Sequence, residues 1–502
     1  MAPQTLLIRA DASVATGTGH VMRCLALAQA WQDAGGDAVF AIAETTPALV
    51  ERLRGEQLPV VCFDISPGGN QDAARLVELA GSLEAGWLVV DGYHFRPDYQ
   101  RRIKQAGFRL LFVDDNSEGG EFLADIVLNQ NLHAREGFYV QRETYTRLLL
   151  GTRYAMLRRE FAKWRGWKRE IAPQARKMLV SMGGSDPDNL SGRVIEAVFS
   201  LRQPGLEARV IVGAGNPHAE SLEQSAAKAN GTIRLERSPQ NIPELIAWAD
   251  VAVSAAGSTC WELCFLGLPA LVLDVAENQR GIARSLDVEG IAVHAGNKEI
   301  GVAEIARQIK ALLRAPDHRA EMSQRGQVLV DGIGAQRVVA AMQQKDVRLR
   351  RAGESDCRLL WEWANEPAVR SVSFSSEPIA WPEHVRWFRE RLADPDSLLY
   401  MALESESCLL GMVRFQLSGE QAVVSIVVAP EFRGQGYGKL VLGRARETLF
   451  ASTGVGRIDA YVKPANEASL RMFGDAGFRK AGNVVIRGQE AVHFILERER
   501  PS

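Results

Sequence analysis

The chain of 502 residues has little of what marks several large protein classes. It holds six cysteines, Cys24, Cys62, Cys260, Cys264, Cys357 and Cys408, with no Cys-x-x-Cys pair and no histidines at zinc-finger spacing. That pattern argues against a disulfide scaffold or a structural zinc site, so all six read as reduced thiols, most of them small buried hydrophobes. Formal net charge is only −2, so there is no basic field to draw in nucleic acid or an anionic membrane, and small-molecule partners are expected. No run of about 18 apolar residues is free of charge, so no helical membrane span is expected. Arg9 and Asp11 follow the first apolar run too soon for a signal peptide, which predicts a cytoplasmic protein. No low-complexity stretch is present, so linkers between domains are expected to be short.

What is present is a globular composition, 46% hydrophobic and 24% charged, with length for about three domains. Short β-branched runs at 6–10, 38–43, 87–91 and 110–114, then at 177–181, 208–212, 251–254 and 270–274, alternate with longer helical patterns. Such alternation predicts two α/β, Rossmann-like halves with parallel sheets. An Arg-, Lys- and Trp-rich break at 152–173 and the polar Gln343-Gln344-Lys345-Asp346 suggest divisions into 1–155, 156–345 and 346–502.

In the last part, Arg433-Gly434-Gln435-Gly436-Tyr437-Gly438 lies between a strand-like run at 423–428 and a helix-like run at 439–450. Three glycines in six residues let backbone N–H groups converge at a helix start, where amides and dipole together favour a pyrophosphate. The loop fits the R-x-x-G-x-G pattern of the Gcn5-related N-acetyltransferases (GNAT), and Asn466, Ala468-Ser469-Leu470 and Gly477-Phe478 resemble that family's closing helix and following strand. The resemblance implies acetyl-CoA as co-substrate, with Ile426 and Val428 offering backbone to the pantetheine arm. Arg433, Gly434, Gln435, Gly436, Tyr437 and Gly438 would meet the pyrophosphate, and Asn466 the far side of the cofactor. Phe473 stands where many members carry a tyrosine that protonates the leaving thiolate, so that duty passes to water, to Tyr461, or to no group. Upstream, 360–366 and 383–388 resemble the acceptor side of nucleotide-sugar N-acetyltransferases, with Asn365 and His384 as polar candidates. Trp361 and Trp387 read equally as core or as stacking platforms.

Near the start, Arg9-Ala10-Asp11-Ala12-Ser13 ends a strand, and Thr16-Gly17-Thr18-Gly19-His20-Val21-Met22-Arg23-Cys24 runs from a loop into a helix. In open α/β sheets ligands bind at the carboxyl ends of strands, which puts this loop at a cleft. A dinucleotide fingerprint is not supported, because Met22 stands where its third glycine belongs. The motif resembles the UDP-sugar hydrolases of pseudaminic acid biosynthesis, over about residues 1–340. Further along, Gly183-Gly184-Ser185-Asp186-Pro187-Asp188-Asn189 and Gly257-Ser258-Thr259-Cys260-Trp261-Glu262 are strand–loop–helix turns whose amides could meet a diphosphate.

This second resemblance implies a two-domain fold like that of GT-B glycosyltransferases. His20 would be base or water positioner, kept neutral by the helix start, with Asp11 orienting it. Gly17, Gly19, Arg23, Tyr93, Gly183, Gly184, Ser185, Asn189, Gly257, Ser258 and Thr259 would bind the UDP-sugar. Glu262 reads as a ribose ligand or a helix-start acid, with ribose favoured. Gln279 is preferred to Asn278 as the residue facing the sugar. Asp114, Asp115, Asn116, Asn129, Gln130 and Asn131 read equally as turn residues or substrate contacts. Asp186-Pro187-Asp188 is read as a turn, not a metal-binding pair, so metal-independent chemistry is expected. Together the resemblances imply an enzyme that N-acetylates a UDP-4-amino sugar with acetyl-CoA. It would then hydrolyse UDP from UDP-2,4-diacetamido-2,4,6-trideoxy-β-L-altropyranose. A GT-B glycosyltransferase, or a silent UDP-sugar-binding module serving the acetyltransferase, are the alternatives.

Overall fold

The computed structural model describes residues 5–13, 17–115, 120–229, 231–344, 347–405 and 408–498. Thr16 of the first loop, Asn116, and Lys345 and Asp346 of the expected linker lie outside the described residues. The chain forms two units, Met1–Gln343 and Gln344–Ser502. Among the described residues, no helix is long and apolar enough to cross a membrane.

The first unit contains two parallel sheets. One is built from β1 (Thr5–Ala10), β2 (Asp37–Ile42), β3 (Val60–Cys62), β4 (Ala85–Asp91), β5 (Leu110–Val113), β6 (Ile126–Asn129) and β7 (Arg147–Leu150), in the order β3-β2-β1-β4-β5-β6-β7. Tyr93 therefore follows the fourth strand, because the short β3 intervenes. Along β1 the side chains alternate between two cores: Leu6 and Ile8 pack with helix Gly19–Asp33, and Leu7 packs with helices Asn70–Ser82 and Pro97–Gln105. Burial on both faces is why the strand carries the apolar run Leu6-Leu7-Ile8 without polar alternation.

The other sheet comprises β8 (Lys177–Ser181), β9 (Glu207–Val212), β10 (Ile233–Arg237), β11 (Val251–Ala255), β12 (Ala270–Asp274) and β13 (Val293–Asn297), in the order β10-β9-β8-β11-β12-β13. In both sheets the first strand has its successor on one side and a later strand on the other. That reversal opens a crevice at the carboxyl end of β1 and of β8. The 152–173 segment is packed: Ala155, Leu157 and Phe161 share a core with Trp261 and Phe265 of the second half. The last helix, Gly334–Gln343, returns to the first half, where Ala335, Val338, Val339 and Met342 join the core beside helix Gly19–Asp33.

The second unit is one mixed sheet of β14 (Arg348–Arg351), β15 (Ser397–Ser405), β16 (Cys408–Ser418), β17 (Gln421–Val428), β18 (Arg457–Val462), β19 (Arg479–Ile486) and β20 (Gln489–Glu497), ordered β14-β15-β16-β17-β18-β20-β19. Parallel pairing of β17 with β18 runs only from Gln421↔Arg457 to Val423↔Asp459, and the two strands are not paired beyond it. Helices Tyr437–Ser452 and Glu467–Asp475 cover one face, packing on Phe415, Val424, Ala460 and Phe494. Helices Cys357–Asn365 and Trp381–Ala393 cover the other, packing on Met412 and Val427.

Candidate functional site

Four loops of the first unit come together across its two halves. A β-carbon added at Gly184 would stand 2.9 Å from Thr18 Oγ1, one at Gly19 3.7 Å from Ser258 Oγ, and one at Gly257 3.7 Å from Gln279 Nε2. The β8 loop cannot retreat, because a β-carbon at Gly213 would fall 2.2 Å from the Gly184 carbonyl oxygen. Only glycine tolerates that backbone approach. Gly183 turns this loop with φ +86°.

His20 is buried at the start of helix Gly19–Asp33, with its ring edge-to-face against Tyr93 at 4.8 Å. Burial lowers its pKa, only partly offset by Asp91, so the neutral imidazole is favoured at neutral pH. The Tyr93 hydroxyl accepts from Asn278 Nδ2 at 2.7 Å, joining the halves directly over His20. It also stands 3.4 Å from Asp115 Oδ2, and burial pushes its pKa up. Asn278, ranked below Gln279 from sequence, is thus the one of the two that reaches Tyr93. Gln279 Oε1 accepts from Val275 N–H at 3.2 Å.

Arg23 departs from its expected place on the ligand. Its guanidinium donates to both oxygens of Asp91, each at 2.6 Å, and to both of Asp115 at 2.7 and 2.6 Å. Two carboxylates consume its donors, so its role is to hold the floor beneath His20. Burial works against each charge here, yet the pairing keeps Arg23 raised and Asp91 lowered. No single sequence motif joins Arg23, Asp91 and Asp115, which come from three separate segments.

Asp11 differs too: its partners are elsewhere than His20. Asp11 Oδ1 accepts from Arg9 at 2.6 Å and from the N–H groups of Ala43 and Glu44 at 2.7 and 3.0 Å. His94 Nε2 lies 3.2 Å from Asp11 Oδ2, an electrostatic contact lacking hydrogen-bond geometry. Arg9 also grips Asp72 through two bonds of 3.0 and 2.9 Å. Burial opposes the Asp11 charge, but His94 and Arg9 more than compensate and hold its carboxyl well below the usual range.

On the second half, the Asp186 carboxylate accepts from the Leu190 and Ser191 N–H groups at 2.8 and 2.9 Å, and Asn189 Oδ1 accepts from Gly192 N–H at 3.3 Å. Both act as caps of helix Leu190–Leu201, while Ser185 is buried beside them. Helix Thr259–Phe265 closes its first turn on the Gly257 and Ser258 carbonyls, so the N–H groups of Gly257, Ser258 and Thr259 precede its hydrogen-bond ladder. Glu262, expected on ribose, is paired with Arg158 at 2.8 Å in an interior that raises its pKa. Among the described residues, no group of three or more His, Cys, Asp or Glu could hold a metal ion.

In the second unit, Gly434 and Gly436 take φ +71° and +84° just before helix Tyr437–Ser452. Arg433 turns away from the loop: it is ion-paired with Glu366 and donates to the Val428 carbonyl at 3.0 Å. Gln435 Nε2 donates to the Glu431 carbonyl at 2.7 Å, and the Tyr437 hydroxyl meets Glu404 at 3.1 Å. A β-carbon at Gly438 would lie 2.6 Å from Met472 Sδ. Ile426 and Val428 pair with β16 through Val413 and Gly411, and lie beyond the pairing with β18. Asn466 caps helix Glu467–Asp475 by accepting from Ser469 N–H at 3.1 Å. Asn365 bonds both backbone groups of Ile379, and buried His384 meets the Cys357 carbonyl at 3.1 Å, so both brace the helices that carry them. Phe473 is core, packed between Phe478 and Phe494.

Residues 346–479 match the family model of the acetyltransferase (GNAT) domain, and residues 178–336 that of the glycosyltransferase family 28 C-terminal domain. An uncharacterized protein of Methanocaldococcus jannaschii is 22% identical over 506 residues, spanning 95% of this chain and 96% of its own length. The UDP-2,4-diacetamido-2,4,6-trideoxy-beta-L-altropyranose hydrolase of Campylobacter jejuni is 25% identical over 290 residues, 57% of this chain and 98% of that protein. Among solved structures, Acinetobacter baumannii MurG matches 68% of this chain and 99% of its own at 17% identity, with TM-score 0.48. The chain thus joins a region homologous to that hydrolase, made of two Rossmann-like halves, to a mixed-sheet GNAT acetyltransferase domain.

Proposed function

We propose that the chain carries out two consecutive steps on one nucleotide sugar: N-acetylation of a UDP-4-amino sugar by acetyl-CoA, then hydrolytic release of UDP from the diacetamido product. The observation that carries this is His20, buried and neutral against Tyr93 in a loop matching the hydrolase motif, on a chain that also bears a GNAT domain. In the hydrolytic step a water oxygen bonds to the anomeric carbon while the bond from that carbon to the diphosphate oxygen breaks. His20 takes the water's proton, and UDP leaves against the amides of Gly183–Ser185 and Gly257–Thr259. In the other unit, the Gly434–Gly438 loop cradles the pyrophosphate of acetyl-CoA, and the opening between β17 and β18 receives the pantetheine arm. Arg433 reaches phosphate only by releasing Glu366.

Mass spectrometry of products from UDP-2-acetamido-4-amino-2,4,6-trideoxy-β-L-altrose and acetyl-CoA tests the reading. Wild type should yield free diacetamido sugar, UDP and CoA, whereas His20→Ala should accumulate the UDP-diacetamido sugar. Unchanged substrate would reject the reading. A second reading, a glycosyltransferase using a hydroxyl acceptor, is favoured by the family 28 match over 178–336. Release of UDP that depends on an added acceptor would select it.

A further inference from the structure

The acetyl-transfer step needs a group to take the proton of the acceptor ammonium, and neither Phe473 nor the braced Asn365 and His384 can serve. On the sheet face covered by helices Cys357–Asn365 and Trp381–Ala393, strand alternation and register bring Met412, Ser425, Val427, Asp459, Tyr461 and His493 to one side. Val423 faces Asp459 at the last paired position of β17 and β18, so Tyr461 stands immediately past the point where the two strands part. His493 is its cross-strand partner on β20, and the two rings stack at 4.9 Å, 20° from parallel. His493 Nε2 is 2.6 Å from Asp459 Oδ1, whose carboxylate is nearly sealed from solvent.

We propose that His493 is the general base of acetyl transfer and Asp459 the positioning residue that fixes its tautomer; this rests on the acetyltransferase reading above. Asp459 accepts the Nε2 proton, which leaves the Nδ1 lone pair to receive another. Arg457 donates to the same Asp459 oxygen at 2.6 Å and helps to hold that carboxylate in place. The charged and titratable groups facing the imidazole are therefore Asp459, Arg457 and Tyr461, while on β19 its partner Gly482 brings no side chain. In the step, an ammonium proton passes to Nδ1, the freed amine bonds to the thioester carbonyl carbon, and the carbon–sulfur bond breaks as the nitrogen gives up its second proton to water. CoA leaves as thiolate and takes a proton, either from the imidazolium or from water. Asp459 lies within the matched GNAT segment and His493 beyond it, since that segment ends at residue 479.

The test measures thiol release by the full-length protein from acetyl-CoA between about pH 6 and 9, for wild type, His493→Gln and Asp459→Asn. The amines are UDP-2-acetamido-4-amino-2,4,6-trideoxy-β-L-altrose and, in parallel, spermidine and glucosamine. His493→Gln should lower kcat by about 100-fold or more, leave KM for acetyl-CoA unchanged, abolish the acid limb of the pH profile, and respond to added imidazole. Asp459→Asn should lower kcat by a smaller factor. A folded His493→Gln that keeps both kcat and the acid limb overturns the proposal; if that variant does not fold, Asp459→Asn with wild-type kcat and acid limb overturns it. Turnover of spermidine or glucosamine alone overturns the sugar assignment but leaves His493 judged on the amine that reacts. No turnover with any amine overturns both.

Discussion

His20 owes its proton affinity to burial, since the Asp91 charge that would raise its pKa is already committed to Arg23. A neutral imidazole is the active form of a base, so UDP release should rise with pH along one limb. The midpoint should lie below the ordinary histidine value of about 6.5, with a plateau near neutrality. His20→Asn should remove that limb and lower kcat by about 100-fold or more, read from initial rates of UDP formation. Arg23 calls for a different expectation. Removing it leaves Asp91 and Asp115 facing one another without a cation, so Arg23→Met should cost about 3–5 kcal/mol of stability, seen as a lowered melting temperature with UDP-sugar absent. The pH sign agrees for both groups. His20 and Asp91 bind protons less readily folded than unfolded, so each supports stability above its unfolded pKa, about 6.5 and 3.9. That support is lost as pH falls from those values through the lower folded ones. Thermal melts should therefore weaken first below about pH 6.5 and again below about 4.

At the scale of elements, the site depends on how loops are held at the strand ends. Gly213→Ala would drive a β-carbon into the Gly184 carbonyl, which no side-chain rotation relieves. The loop bearing Ser185 should shift, raising KM for the UDP-sugar with little change in acetyl-CoA turnover, as measured on each half-reaction separately. The cradle is the counterpart: Gly436→Ala forces a left-handed residue to carry a β-carbon, at a cost of about 1–2 kcal/mol. KM for acetyl-CoA should then rise by roughly tenfold, with UDP release unaltered. The strands that set these loops were legible in sequence where both faces are covered. The runs at 6–10, 87–91, 177–181 and 251–254 became β1, β4, β8 and β11, the strands flanking the two crevices. Of the five unread strands of the first unit, β3, β7, β10 and β13 are the edges of its two sheets, while β6 is interior but short, Ile126–Asn129. An edge strand is half-covered, so polar residues such as Arg234, Glu236 and His294 interrupt the apolar run that announces a central one. The site's loops were legible for the same reason the central strands were: glycine-rich turns follow them directly. Partner choice was not. Arg23 with Asp91 and Asp115, Glu262 with Arg158, Arg433 with Glu366, and Asn278 with Tyr93 are pairings between distant segments. Spacing along a chain carries no record of them.

For the whole molecule, the informative fact is that each unit has its own core and its own candidate site. The first unit packs on both faces of two parallel sheets, the second on both faces of one mixed sheet. If the two reactions follow one another, the acetylated UDP-sugar must leave the splayed strands of one unit and enter the crevice of the other. Two variants, each impaired in one step, then form a complementation test. His20→Ala should acetylate and stop at the UDP-diacetamido sugar, while Gly436→Ala should still hydrolyse that sugar when supplied with it. Mixed at equal concentration and given the 4-amino precursor and subsaturating acetyl-CoA, the pair should recover free diacetamido sugar, because the intermediate diffuses from one protein to the other. The recovered rate should rise with protein concentration until the slower step limits it, and added UDP-diacetamido sugar should compete with newly formed intermediate. A mixture no more active than Gly436→Ala by itself, while each variant completes its own half-reaction, would instead mean that the intermediate passes within one chain and does not escape. Joining the two sites in one polypeptide would then serve transfer as well as co-expression of the two steps.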